Sequence, residues 1–249
     1  REFLPALDEA GKLYRIGREI NKDTELQPLV RWQFRGGIPE SARRGFLFDN
    51  VTDGKKNKYN CRVLVGGLSS SEAIYSMGLK CQPGEVPDRW IYALDHLVPP
   101  VMVDRGPAQE EVHMGADLLA YGGINEFAIP ISTPGFDNGP YITAGHWITK
   151  DPETGQRNVG NYRGLIKGPA RSGLMTGTPQ DLSNQWEKAR RMGKPLEVAI
   201  DVGTIPVVSY AATQKVPPDV DELALAGGLQ GAPVQLVKCK TVDLEVPAT

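Results

Sequence analysis

Two strand-like runs, Tyr141 to Thr149 and Asn158 to Lys167, flank the polar segment Asp151-Pro152-Glu153-Thr154-Gly155-Gln156, and this arrangement constrains the fold more than any other stretch. Strand-forming runs joined by a short turn bearing Pro and Gly pair antiparallel. Pro179-Gln180-Asp181 then opens a helix, because Leu182, Trp186 and Ala189 repeat at helical spacing and Gly193-Lys194-Pro195 ends it. Leu196 to Val202 and Val234 to Val246 read as further strands. This half is β-rich with inserted helices, closer to a partly split barrel than to a doubly wound sheet.

The first half is patterned differently. Phe3, Leu4 and Leu7 share a helical face that Gly11 ends, and Leu13 to Arg18 reads as a short strand. Thr24 is expected to cap a helix carrying Leu26, Leu29, Val30 and Phe34, which stops at Gly36-Gly37. Strands follow at Gly45 to Phe48 and Arg62 to Val65, and Ser69-Ser70-Ser71-Glu72 precedes a helix containing Ala73, Ile74 and Met77. Periodicity weakens between Val98 and Asn125, where Pro, Gly and acidic residues concentrate. The expected organisation is an α/β domain over residues 1–105 and a second domain over 106–249, a mixture of α/β and α+β. The chain opens at Arg1 without Met and stops at Thr249 directly after a strand-like run, so the second domain is expected to continue beyond it.

A formal charge of −2, from 28 basic and 30 acidic residues, argues against a nucleic-acid partner. Cys61, Cys81 and Cys239 have no CxxC spacing and form neither a disulfide framework nor a zinc cluster, which suits a cytoplasmic setting. No apolar run approaches the roughly 20 residues of a membrane span. Dinucleotide, P-loop and nucleophile-elbow motifs are all missing, and His96, His113 and His146 lack the spacing of a helical zinc pair, so structural or surface duty is expected of each. Within the second hairpin strand, alternation puts Asn158, Gly160 and Tyr162 on one face and Val159, Asn161 and Arg163 on the other. A glycine in mid-strand calls for a bulge or for close approach of another group. A bound cofactor would supply that approach; a polar surface hairpin is the alternative.

Several ordered segments together resemble the UbiD family of prenylated-FMN-dependent decarboxylases. They are Gly139 to Gly145, Asp151 to Gly155, Asn158 to Arg163, Gly193-Lys194-Pro195, Asp221-Glu222-Leu223 and Cys239 to Ala248, with Arg1 to Leu4 and Gly11 to Leu13 at the start. The resemblance runs over essentially the whole chain. It implies an N-terminal α/β domain followed by a split β-barrel that binds flavin, as in flavin reductase-like proteins. It also implies reversible decarboxylation of an aromatic or α,β-unsaturated carboxylic acid, with the prenylated flavin as electron sink.

Residue by residue, the resemblance makes Asn158 and Glu222 ligands of Mn²⁺ or Mg²⁺, with K⁺ as a further ion, and the divalent metal bridges to the flavin phosphate. Arg163 matches the catalytic arginine, whose planar fork can grip a substrate carboxylate. Backbone groups near Asn161 and Tyr162 would line the flavin, and Gln180 matches a further cofactor contact. The family generally has a metal-binding histidine where this chain has Asp181, which either joins an all-oxygen site or caps the helix that follows. Two glutamates that act with the arginine, and a lysine near the phosphate, lie downstream of Thr249 in the family, so neither Glu222 nor Glu245 takes the proton-donor role. The family further implies a flavin prenyltransferase as cofactor supplier and a homo-oligomer. Two other classes stay open: a flavin reductase-like or flavin-storage protein, and a non-catalytic flavin-binding subunit of a larger (de)carboxylase complex.

Overall fold

The computed structural model describes residues 2–177 and 180–249; Arg1 and Pro179, each part of an expected segment, lie outside them. Contacts divide the chain into two compact, interleaved units. One comprises the chain through Gly84 with His113–Ile142 and Gly164–Gly173; the other comprises Glu85–Val112, Thr143–Arg163 and Leu174–Thr249. The fold is mixed α/β, and among the described residues the strands form small open sheets of two or three strands.

In the first unit, strand Gly45–Phe48 is central, parallel to Leu13–Ile16 on one side and antiparallel to Val63–Val65 on the other. All four of its residues are buried, as expected for a strand covered on both faces. One cluster gathers Ile20, Leu26, Val30, Phe48 and Val51; another gathers Leu7, Leu13, Leu47 and Ile74. The helix Leu26–Arg35 has Glu25, not Thr24, at its N-cap, without a side-chain cap bond. The polar side chains of that turn accept from its backbone instead: the Asn21 N–H donates to Glu25 Oε2, and the Asp23 N–H to Asn21 Oδ1. Leu26 and Val30 are buried as expected, whereas Leu29 and Phe34 are exposed. Ser71 does cap its helix, accepting from the Ile74 N–H at 3.3 Å.

In the second unit, Gly145–Lys150 pairs antiparallel with Arg157–Asn161 on one side and with Ala199–Val202 on the other. The expected hairpin is therefore present but interrupted. Its strands stop at Gly145 and Asn161, and the outer runs Tyr141–Ile142 and Gly164–Gly168 pair with each other inside the first unit. Its turn is built by Asp151, whose carboxylate accepts from the N–H groups of Glu153 and Thr154 while Gly155 takes φ +76°. The long strand expected over Val234 to Val246 is a hairpin of Gln235–Lys238 with Glu245–Pro247.

A helix that periodicity did not announce, Glu222–Gln230, is buried from Glu222 through Leu229. It packs on the helices Val86–Asp95 and Pro206–Ala211. Gly227 and Gly228 permit this close approach: a Cβ on either would stand within 2.7 Å of the carbonyl oxygen of Val98 or His96.

Candidate metal and cofactor site

The second unit carries a cleft of about 490 Å³ whose walls include Asn158, Asp181 and Glu222. Asn158 sits in mid-strand opposite Thr149 and is 5% exposed. Its amide nitrogen donates to Thr149 Oγ1 at 3.3 Å, and that hydroxyl donates to Gln185 Oε1 at 2.6 Å. With the nitrogen so oriented, the carbonyl oxygen is the end that Asn158 can offer an ion.

Glu222 is the first residue of its buried helix and is 8% exposed. Its Oε2 accepts from the Val159 N–H at 3.1 Å, tying the helix start to the strand beside Asn158. Burial, and then the charges of Asp221 and Asp181, push the Glu222 carboxyl up to about 7, against the bonds it accepts from backbone N–H groups. A buried carboxylate among like charges is a group that a cation would stabilise.

Asp181 begins the helix Asp181–Arg191 and is exposed on the cleft wall. It is not the cap: Gln180 occupies the N-cap with extended backbone and no side-chain cap bond. Asn158, Asp181 and Glu222, far apart in sequence, thus converge from a strand and two helix starts. Among the described residues no group of three or more His, Cys, Asp or Glu is gathered as a metal centre. The convergent set offers two carboxylates and one amide oxygen, a hard donor set that fits Mg²⁺ or Mn²⁺ and suits neither zinc nor copper well. The cleft volume also falls in the usual range for a small-molecule site.

The remaining expected residues, Gln180, Asn161, Tyr162 and Arg163, do not line the cleft, although the Tyr162 hydroxyl bonds the Asn158 side chain. Arg163 is exposed, two residues past the end of its strand. The Asn161 N–H donates to Ala212 O at 3.1 Å, and the Tyr162 carbonyl accepts from the Trp147 indole N–H at 3.0 Å. Gly160 is approached closely, as its place in mid-strand requires, but the approaching group is the Tyr162 ring: a Cβ on Gly160 would stand 2.4 Å from Tyr162 Cε2. Burial raises the Tyr162 hydroxyl pKa against the bonds it makes with the Asn158 side chain and the Leu182 backbone.

The histidines have structural surroundings. His96 stacks on Tyr92, and His113 stacks on Tyr121 while its Nδ1 meets Glu126 at 3.1 Å. His146 is buried opposite Asp201, and burial lowers it to about 4. Arg157, and Asp221 as a cap, stand outside the residues expected from the sequence. Arg157 Nη1 meets Asp221 Oδ2 at 2.6 Å, and Asp221 Oδ1 caps the Glu222 helix through the Leu223 N–H. The signal available was Asp-Glu at the head of an apolar run.

Residues 101–249 match the family described as UbiD, the 3-octaprenyl-4-hydroxybenzoate carboxy-lyase Rift-related domain. An uncharacterized protein of Aquifex aeolicus is 45% identical over 99% of this chain and 52% of its own length. A phenolic acid decarboxylase of Sedimentibacter hydroxybenzoicus is 31% identical over 100% of this chain and 52% of its own. An evolved dimeric form of the UbiD-class enzyme HmfF from Pelotomaculum thermopropionicum, in complex with prFMN, superposes with a TM-score of 0.82 at 30% identity, covering 100% of this chain and 54% of that one. The chain spans about half the length of the curated relatives it matches. A family match over residues 101–249, together with relatives and a solved structure aligned along nearly the whole chain, means that the chain belongs to the UbiD family.

Proposed function

We propose that this chain forms the flavin-binding part of a UbiD-class decarboxylase acting on an aromatic or α,β-unsaturated carboxylic acid. The observation that carries the reading is the meeting of Asn158, Asp181 and Glu222 at one cleft in a chain of this family. Relatives named as a phenolic acid decarboxylase and as a prFMN complex support the substrate class and the cofactor.

In this reading Asn158, Asp181 and Glu222 would hold Mn²⁺ or Mg²⁺, whose charge would favour the ionised form of a carboxyl that burial pushes up to about 7. The open antiparallel sheet around Gly145–Lys150 is the part read as a split β-barrel. Prenylated FMN, when bound, supplies the electron sink that decarboxylation requires. Arg163 grips the substrate carboxylate with its guanidinium fork and so fixes the acid's orientation. The proton that replaces carbon dioxide comes from a group outside this chain's assigned residues. A homo-oligomer, suggested by the dimeric relative, completes the reading.

The test is turnover. The protein is expressed with a flavin prenyltransferase and offered a panel of aromatic, heteroaromatic and acrylic acids, and carbon dioxide is measured. Release from at least one acid, dependent on the prenyltransferase, is expected; flavin binding with no release from any of them would favour a storage or reductase-like role.

A further inference from the structure

Arg157 and Asp221 stand immediately before Asn158 and Glu222 in sequence, and they form an ion pair of 2.6 Å. We propose that this pair is a positioning clamp that holds Asn158 and Glu222 at the spacing a divalent cation needs. The inference rests on the metal reading above and adds two residues to it.

Arg157 borders the same cleft as Asn158, but a guanidinium is a cation with donors only, so it cannot itself be a metal ligand. Arg157 acts through its guanidinium on Asp221 instead. Its Nη1 meets Asp221 Oδ2, and Asp221 Oδ1 accepts from the Leu223 N–H at 2.8 Å, fixing the first turn of the helix that presents Glu222. Two residues along the strand, the Val159 N–H donates to Glu222 Oε2 at 3.1 Å. The two links join the same strand to the same helix start and bracket Asn158 between them.

The clamp is itself anchored. Arg157 Nη2 meets Glu245 Oε2 at 3.1 Å, and Glu245 Oε1 meets Lys150 Nζ at 2.9 Å. Lys150 is the cross-strand partner of Arg157, so Glu245 separates two cations that would otherwise face each other directly. The Arg157 and Glu245 side chains are largely shielded from solvent, which limits screening of these contacts. A planar guanidinium with one nitrogen on each of two carboxylates sets direction as well as charge; a lysine cannot span both with the same geometry.

The experiment titrates Mn²⁺ alone into the flavin-free protein and follows loss of the free-ion paramagnetic resonance signal. Wild type, Arg157→Ala, Arg157→Lys and Asp221→Asn are compared, the last retaining a cap acceptor while losing the charge. Arg157→Ala and Asp221→Asn are expected to weaken Mn²⁺ binding about 10- to 100-fold, the usual effect of removing a group that orients metal ligands. A double variant carrying Arg157→Ala with Asp221→Asn, titrated alongside, is expected to be no weaker than the weaker single, because both remove one interaction, and Arg157→Lys is expected to recover part of the affinity. A merely structural role would lower the thermal midpoint and leave the Mn²⁺ affinity of the folded protein unchanged, and that result overturns the clamp. If Arg157→Ala fails to fold, Arg157→Lys and Asp221→Asn decide, and wild-type affinity in both overturns the clamp. Absence of Mn²⁺ binding by wild type sinks the metal reading and the clamp with it, whereas tight wild-type binding with unaffected variants sinks the clamp alone.

Discussion

Replacing Gly160 by alanine tests the packing around the candidate site at its tightest point. A Cβ there would stand 2.4 Å from Tyr162 Cε2, 2.5 Å from its hydroxyl oxygen and 2.6 Å from Cζ, so the ring must move. Overpacking of this kind costs about 1–3 kcal/mol. Displacing the ring also breaks the hydroxyl's bonds to the Asn158 side chain and the Leu182 backbone, each worth about 1 kcal/mol. Against this, alanine gains about 0.5–1 kcal/mol over glycine in a strand, because less backbone entropy is lost on folding. The net expectation for Gly160→Ala is a loss of about 2–4.5 kcal/mol, read from urea unfolding midpoints at constant m-value. Tyr162→Ala removes all three of the nearest atoms, so adding Gly160→Ala in that background should be neutral or stabilising. A stable Gly160→Ala in the wild-type background would refute the reasoning, because it would mean the ring does not lie over Gly160.

Two further outcomes follow from the assigned residues. Burial lowers His146 to about 4, so the unfolded chain takes up the proton first as pH falls: its contribution is complete above about 6.5 and declines by about 3 kcal/mol toward pH 4. His146→Phe should therefore be less acid-sensitive than wild type between those pH values, and identical acid limbs in the two unfolding profiles would contradict this. Arg163→Ala should abolish carbon dioxide release while the flavin absorbance persists after desalting, and full activity in that variant would remove its assigned role.

What could be read from the chain alone follows from which interactions are local. The turn from Asp151 to Gln156 carries its own chemistry, an aspartate bonding the next N–H groups and a glycine at positive φ, so the hairpin was legible. Its interruption after Asn161 was not, since the outer and inner pairs belong to different compact units and no residue between them marks the change. Glu222–Gln230 escaped because a helix buried on every side has no amphipathic period to display. Thr24 and Asp181 are cap residues by type, but in each case the chain enters the helix one residue away, with Glu25 and Gln180 at the cap positions. Gly160 announced a close approach without saying by what; a bound cofactor was one reading, and the neighbour is the chain's own Tyr162. Convergence of Asn158, Asp181 and Glu222 could be inferred only through resemblance, because their meeting depends on long-range packing.

The most direct measurement is an anomalous difference map at the manganese edge, from crystals of the protein produced with a flavin prenyltransferase and supplied with Mn²⁺. A single strong peak is expected in the cleft, within ligand distance of oxygens of Asn158, Asp181 and Glu222, with flavin density beside it. A peak at other residues, or a cleft without manganese beside bound flavin, would contradict the account.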